Sequence, residues 1–99
     1  MTKTITILIG NSDDKLTQKE WSLYVDEVDH AIRVKVYSNS EHSLHLTGAP
    51  ETSSPYQNYC WVAVLTEPAI EELKETLSKI RKEYRQDGVA VVTGTSETI

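Results

Sequence analysis

Three short polar stretches carry the side chains best equipped for chemistry: Asn11, Asp13, Asp14 and Lys15, then Tyr56, Gln57 and Asn58, then Arg85, Gln86 and Asp87. Carboxamides read hydrogen-bond patterns, carboxylates and cations read charge, and tyrosine rings stack. Brought together, these residues predict a site for a small polar or nucleotide-like ligand. A helix expected to open at Thr17 would add unpaired backbone N–H donors for an anion. The same residues also suit structural duties: Asp13 and Asp14 in a turn, Arg85 at a helix end, Gln57 and Asn58 in a hairpin. A catalytic alternative is a small hydrolase or isomerase in which Asp13 or Asp14 is the general base and Lys15 or Arg85 stabilises developing negative charge. No nucleophile stands beside a matched base, so non-enzymatic binding is the favoured reading and no catalytic residue is assigned.

Other chemistries fit less well. His30, His42 and His45 invite a metal site, but His42 and His45 on one strand would point to opposite faces, whereas ligands must converge. Asn11-Ser12-Asp13-Asp14 lacks the glycine and distal glutamate of a calcium loop, and Gly10-Asn11-Ser12 lacks the glycines and lysine of a phosphate loop. Neither a metal nor a cofactor is expected. The single cysteine, Cys60, excludes an internal disulfide. Its apolar strand neighbours fit packing better than nucleophilic attack.

A chain of 99 residues with 38% hydrophobic and 25% charged residues fits one domain, here 1–99, and not a disordered polymer. The net charge of −5 argues against general nucleic-acid binding, which needs clustered Lys and Arg to neutralise phosphates. No apolar run reaches the roughly 20 residues that span a bilayer, and the start has no secretory pattern. A cytoplasmic protein is expected.

The elements that must position the three stretches follow from periodicity. Ile5, Ile7 and Ile9 alternate with Thr4, Thr6 and Leu8 over 2–9, predicting a strand with one well-buried face. Thr17 and Glu20 form a capping-box pair that opens a helix, with Trp21, Tyr24, Val25, Val28 and Ile32 on its apolar face and Asp26, Glu27 and Asp29 facing water. Residues 32–37 fit either a continuation of that helix, which is favoured, or an extra β-branched strand. Ser43 to Thr47 predicts the second strand, with Leu44 and Leu46 on one face, and residues 48–55 a long loop. Tyr59 to Leu65 is apolar on both faces, as in a central strand. Pro68 opens a second helix with Ile70, Leu73, Leu77, Ile80 and Tyr84 on one stripe, and Gly88 suits its stop. Val89 to Thr93 completes the set.

The resulting order predicts an α+β, ferredoxin-like βαββαβ fold: an antiparallel four-stranded sheet with two helices on one face. That topology brings the three polar stretches to one end of the molecule. It also leaves one sheet face open. Tyr59, Trp61 and Leu65 are placed on that face and predict self-association into a homo-oligomer, because an exposed apolar patch is unfavourable for a monomer.

The pattern of Ile9 to Gln18, Trp21, Tyr56-Gln57-Asn58 with Cys60-Trp61, and Tyr84 to Asp87 resembles small uncharacterised proteins of bacteria, their phages and mobile elements. The resemblance spans nearly the whole chain and carries no catalytic roles. It implies an accessory protein, acting in counter-defence by sequestering a nucleotide-like signal or occluding a host protein.

Overall fold

A computed structural model describes residues 2–11, 15–38, 43–48 and 58–95, the third segment at the level of its backbone. The elements are β1 (Thr2–Gly10), α1 (Gln18–Ser38), β2 (Ser43–Gly48), β3 (Asn58–Thr66), α2 (Glu67–Glu83) and β4 (Ala90–Gly94). The four strands order as β2-β3-β1-β4, all antiparallel, with β3 and β1 central.

Register explains the layers. Ile5, Ile7 and Ile9 lie opposite Ala63, Trp61 and Tyr59. All but the half-buried Tyr59 are buried, together with Leu65, against Tyr24, Val28, Ile32 and Val36 of α1 and Ile70, Leu73 and Leu77 of α2. The other side of the sheet carries Thr4, Thr6 and Leu8 beside Val64, Val62 and Cys60, and there Leu8 and Val92 stay 40% and 60% exposed. Both helices therefore cover one face only.

The placing of Tyr59, Trp61 and Leu65 on the open face is corrected by this register. Trp61 and Leu65 are fully buried under the helices, and Tyr59 stacks on Trp61 with ring centroids 4.5 Å apart. A strand apolar on both faces gives no sign of which side the helices will take. Its neighbour β1 decides, because Ile5, Ile7 and Ile9 share a face with the odd-numbered residues of β3. The buried indole also donates to Asp29 Oδ1 at 2.9 Å, while Asp29 Oδ2 accepts from Arg33 at 2.8 Å. Asp29, expected in water, instead satisfies a core N–H.

α1 begins as its capping box requires: Thr17 N–H donates to Glu20 Oε1 (3.1 Å), and Glu20 N–H donates to Thr17 Oγ1 (3.2 Å). Residues 32–37 continue the helix, since Ile32 and Val36 extend the buried stripe of Tyr24 and Val28 at helical spacing. In β2 the register shifts between Leu44 and Leu46, which lie opposite Ala63 and Val62, so the simple alternation expected there is broken.

The end of α2 departs from expectation. Arg85, and not Gly88, takes the left-handed conformation that stops the helix, at φ 60°, and no glycine has positive φ among the described residues. Gln86 N–H donates to Arg81 O (2.9 Å) and Arg85 N–H to Lys82 O (3.1 Å). Those two bonds are the six-to-one and five-to-two pair of a Schellman cap, in which glycine usually fills the position held by Arg85.

Candidate functional site

The exit of β1, the start of α1, the beginning of β3 and the turn between α2 and β4 meet at one end of the molecule. Gly10 lies opposite Asn58 across the central strand pair. Lys15 Nζ reaches Asp87 Oδ2 at 2.9 Å, and Arg85 Nη2 reaches Glu20 Oε2 at 2.6 Å. Stretches distant along the chain thus share one rim. Asp13, Asp14, Tyr56 and Gln57 lie outside the described residues.

The six described rim residues divide by role. Asn11 is fully buried and staples the turn into α1, accepting from Leu16 N–H and donating to Leu16 O, both at 3.0 Å. Both bonds tie its carboxamide to Leu16, and with its full burial this makes Asn11 a residue that shapes the rim. Gln86 is also buried, donates to Tyr84 O at 3.2 Å, and offers its backbone carbonyl to Arg81 Nη1 at 2.9 Å. It closes the cap of α2. Asn58, Lys15, Arg85 and Asp87 are exposed and form the accessible part of the rim.

Electrostatics follow from the pairs. Arg85 beside Glu20 holds the Glu20 carboxyl below its usual range, helped by the Thr17 N–H. Lys15 does the same to Asp87. Asp87 is solvent-exposed and Glu20 is half-buried beside the exposed Arg85, and ion pairs this open to water contribute little to stability. Two cations, Lys15 and Arg85, are thus held at the rim in ion pairs. Glu20 was not among the residues singled out for recognition. Its signal lay in the capping box: the glutamate that caps Thr17 has its second oxygen left for Arg85.

Behind the rim lies an aromatic wall. Tyr24 packs on Tyr84 at 5.1 Å and edge-on to Trp21 at 6.2 Å. Burial pushes the Tyr24 hydroxyl up to about 12, and its Oη has no hydrogen-bond partner among the described residues. Tyr84 is raised as well, first by burial and then by the charges of Glu27 and Glu83. Cys60 is half-buried on the open sheet face, away from this wall.

The chain matches no protein-family model and no curated protein. Solved structures share its fold. A de novo designed protein, Foldit4, aligns over 97% of both chains with a TM-score of 0.60 and 13% identity. A dimeric ferredoxin-like protein of unknown function from Thermobifida fusca aligns over 96% of this chain and 92% of its own, with a TM-score of 0.58 and 10% identity. A second dimeric ferredoxin-like protein, from an uncultured marine organism, aligns over 99% and 91%, with a TM-score of 0.53 and 10% identity. These likenesses establish a ferredoxin-like α+β fold and go no further. No helix among the described residues is long and apolar enough to cross a membrane.

Proposed function

We propose that this chain is a non-enzymatic binding protein that takes a small anionic, nucleotide-like ligand at the rim and acts by stoichiometric occupation. The observation that carries the reading is Arg85. A side chain with a Cβ is disfavoured in the left-handed region, and a helix cap of this type is most cheaply built with glycine. Backbone strain of this kind tends to sit at functional positions, where the side chain is needed despite its cost. Here the strained residue is a guanidinium, suited to bidentate contact with phosphate, and it is fixed by Glu20 within the cluster that also holds Lys15 and Asn58.

The open sheet face supports assembly as a homo-oligomer. Leu8 and Val92 are exposed there beside the half-buried Cys60, Val62 and Val64, and two of the structurally similar proteins are described as dimeric. The resemblance of the loop residues to phage and mobile-element proteins suggests counter-defence as the setting, with a nucleotide signal or a host protein as the captured molecule.

Calorimetric titration with mono-, di- and cyclic nucleotides tests the reading. Saturable binding at one ligand per chain, lost in Arg85→Ala and weakened in Lys15→Ala, is expected. Absence of binding across the panel, or binding indifferent to Arg85, refutes it. Turnover of a bound nucleotide that disappears in Asp14→Asn would favour the hydrolytic alternative.

A further inference from the structure

The outer seam between α1 and α2, on the side of the helices away from the sheet, is a second surface unrelated to the rim cations. α1 carries more apolar residues than its core stripe needs. Leu23 and Val34 remain 47% and 51% exposed, and together with Leu73 and Ile80 of α2 they line a groove of about 590 Å³. Its lining runs from Leu23 to Lys35 on one helix and from Leu73 to Glu83 on the other. At 1.5 Å per residue this is roughly 15–18 Å, the length of a three-turn helix.

Carboxylates predominate among the charged groups of the groove, which also carries His30. Asp26, Glu27 and Glu83 line it, and its one ammonium group, Lys35, is taken by Glu72 at 2.6 Å. Neither Asp26 nor Glu83 forms an ion pair among the described residues. Glu27 also keeps a buried Oε2 without a hydrogen-bond partner among those residues. The Glu27 carboxylate also meets the Tyr84 hydroxyl, and the groove has apolar walls with carboxylates along its edges.

We infer that this groove docks an amphipathic α-helix of another protein, apolar on the face that meets Leu23, Val34, Leu73 and Ile80 and bearing Lys or Arg on its flanks. Helix-in-groove recognition uses anchors at i, i+3, i+4 and i+7, which a three-turn seam accommodates. The carboxylates at the edges select basic flanks and steer their approach. This surface works whether or not the rim binds a nucleotide, so the two readings fail separately.

The probe is a fluorescein-labelled 14-residue peptide with Leu at helical anchor spacing and Lys at the flanking positions, beside a counterpart with Glu in place of Lys. Anisotropy titration measures affinity for the intact chain, and amide shift mapping locates the contact. The Lys peptide should bind in a salt-sensitive manner and shift amides of 23–35 and 73–83. Leu23→Lys and Val34→Lys should each weaken it by about tenfold or more, as loss of an anchor does. Glu27→Gln with Glu83→Gln should flatten the salt dependence, whereas Glu71→Gln should not. Because Leu23 and Val34 are half exposed, unchanged thermal melting of both variants will show that the fold survives. Four results overturn the inference: no binding of the Lys peptide at about 1 mM, equal binding of the Glu peptide, shifts confined to the sheet face or the rim, or dissociation of a homodimer by Leu23→Lys, which would give the groove to a second copy.

Discussion

Replacing Arg85 by glycine should make the protein more stable while removing its proposed function. A residue with a Cβ costs about 1–2 kcal/mol in the left-handed region relative to glycine, and Arg85 sits there at φ 60°. Glycine forfeits part of that gain, roughly 0.4–1 kcal/mol, because it frees the unfolded chain. Loss of the exposed contact with Glu20 subtracts little. The net is about 0.5–1 kcal/mol in favour of Arg85→Gly, which for a domain of this length raises Tm by roughly 2–8 °C. Arg85→Ala is the control. It retains the Cβ and the strained backbone but loses the guanidinium, so its Tm should stay level or fall slightly. Differential scanning calorimetry of the three proteins at neutral pH measures both differences. If Arg85→Gly melts below the parent, or moves with Arg85→Ala, then the left-handed cap is not strained and the case for a functional arginine there collapses. Both variants should lose nucleotide binding alike, which separates the role of the side chain from that of the backbone.

Other outcomes follow from particular contacts. Trp61→Phe should cost roughly 1–3 kcal/mol in urea denaturation, because it leaves a gap under α1 and strands Asp29 Oδ1 in a part-buried site. Tyr24→Phe should hold or raise the denaturation midpoint although Tyr24 is a core residue, since its hydroxyl is buried without a partner; a large loss would reveal an unseen hydrogen bond. Because the Tyr24 phenol is raised from 10 to about 12, the stability it contributes is full below pH 10 and is lost as pH rises towards 12, which alkaline unfolding followed at 295 nm will test. Glu20, Glu67 and Asp87 are lowered by Arg85, Lys3 and Lys15, so their contribution is present above the ordinary carboxylate values of 4.5, 4.5 and 3.8 and disappears as pH falls through the lowered ones; urea midpoints at descending pH should show it. Leu8→Lys combined with Val92→Lys should leave a monomer by light scattering, and an unchanged mass would exclude the open sheet face as the interface.

The order of elements was legible because each announced itself by period: Ile5, Ile7 and Ile9 by alternation, and Ile70, Leu73 and Leu77 by helical steps. The convergence of Gly10, Lys15, Asn58, Arg85 and Asp87 followed from that order. What stayed hidden depends on partners that no local pattern encodes. Asn11 has the chemistry of a ligand contact and spends it on Leu16, and nothing in its neighbourhood distinguishes the two uses. Trp61 is equally apolar-flanked on both sides of its strand, so its face was settled by β1. Asp29 belongs to the polar side of α1 by spacing, yet a core indole reaches it. Arg85 was missed as the helix stop because Gly88, three residues on, satisfies the sequence rule better than the residue that does the work.

A de novo designed protein holds the same fold, so the architecture by itself names no function. Features that the fold does not need, and that disfavour a lone stable monomer, are then the places to look for selection. Three stand out here. An arginine occupies a glycine position at the rim, valine and leucine face water on the uncovered sheet, and a leucine and a valine face water between helices edged by carboxylates. Each is unfavourable in isolation, through strain or apolar exposure, and the contacts proposed above, with an anion, a second copy and a basic helix, would each offset one of these costs. The three surfaces lie at one end, one face and the opposite face of a single small domain, so each can be altered by its own substitutions. A dimer that presents two rims and two grooves could capture a ligand and a protein together, and the separate loss of each activity in Arg85→Ala, Leu8→Lys with Val92→Lys, and Val34→Lys is the outcome this arrangement requires.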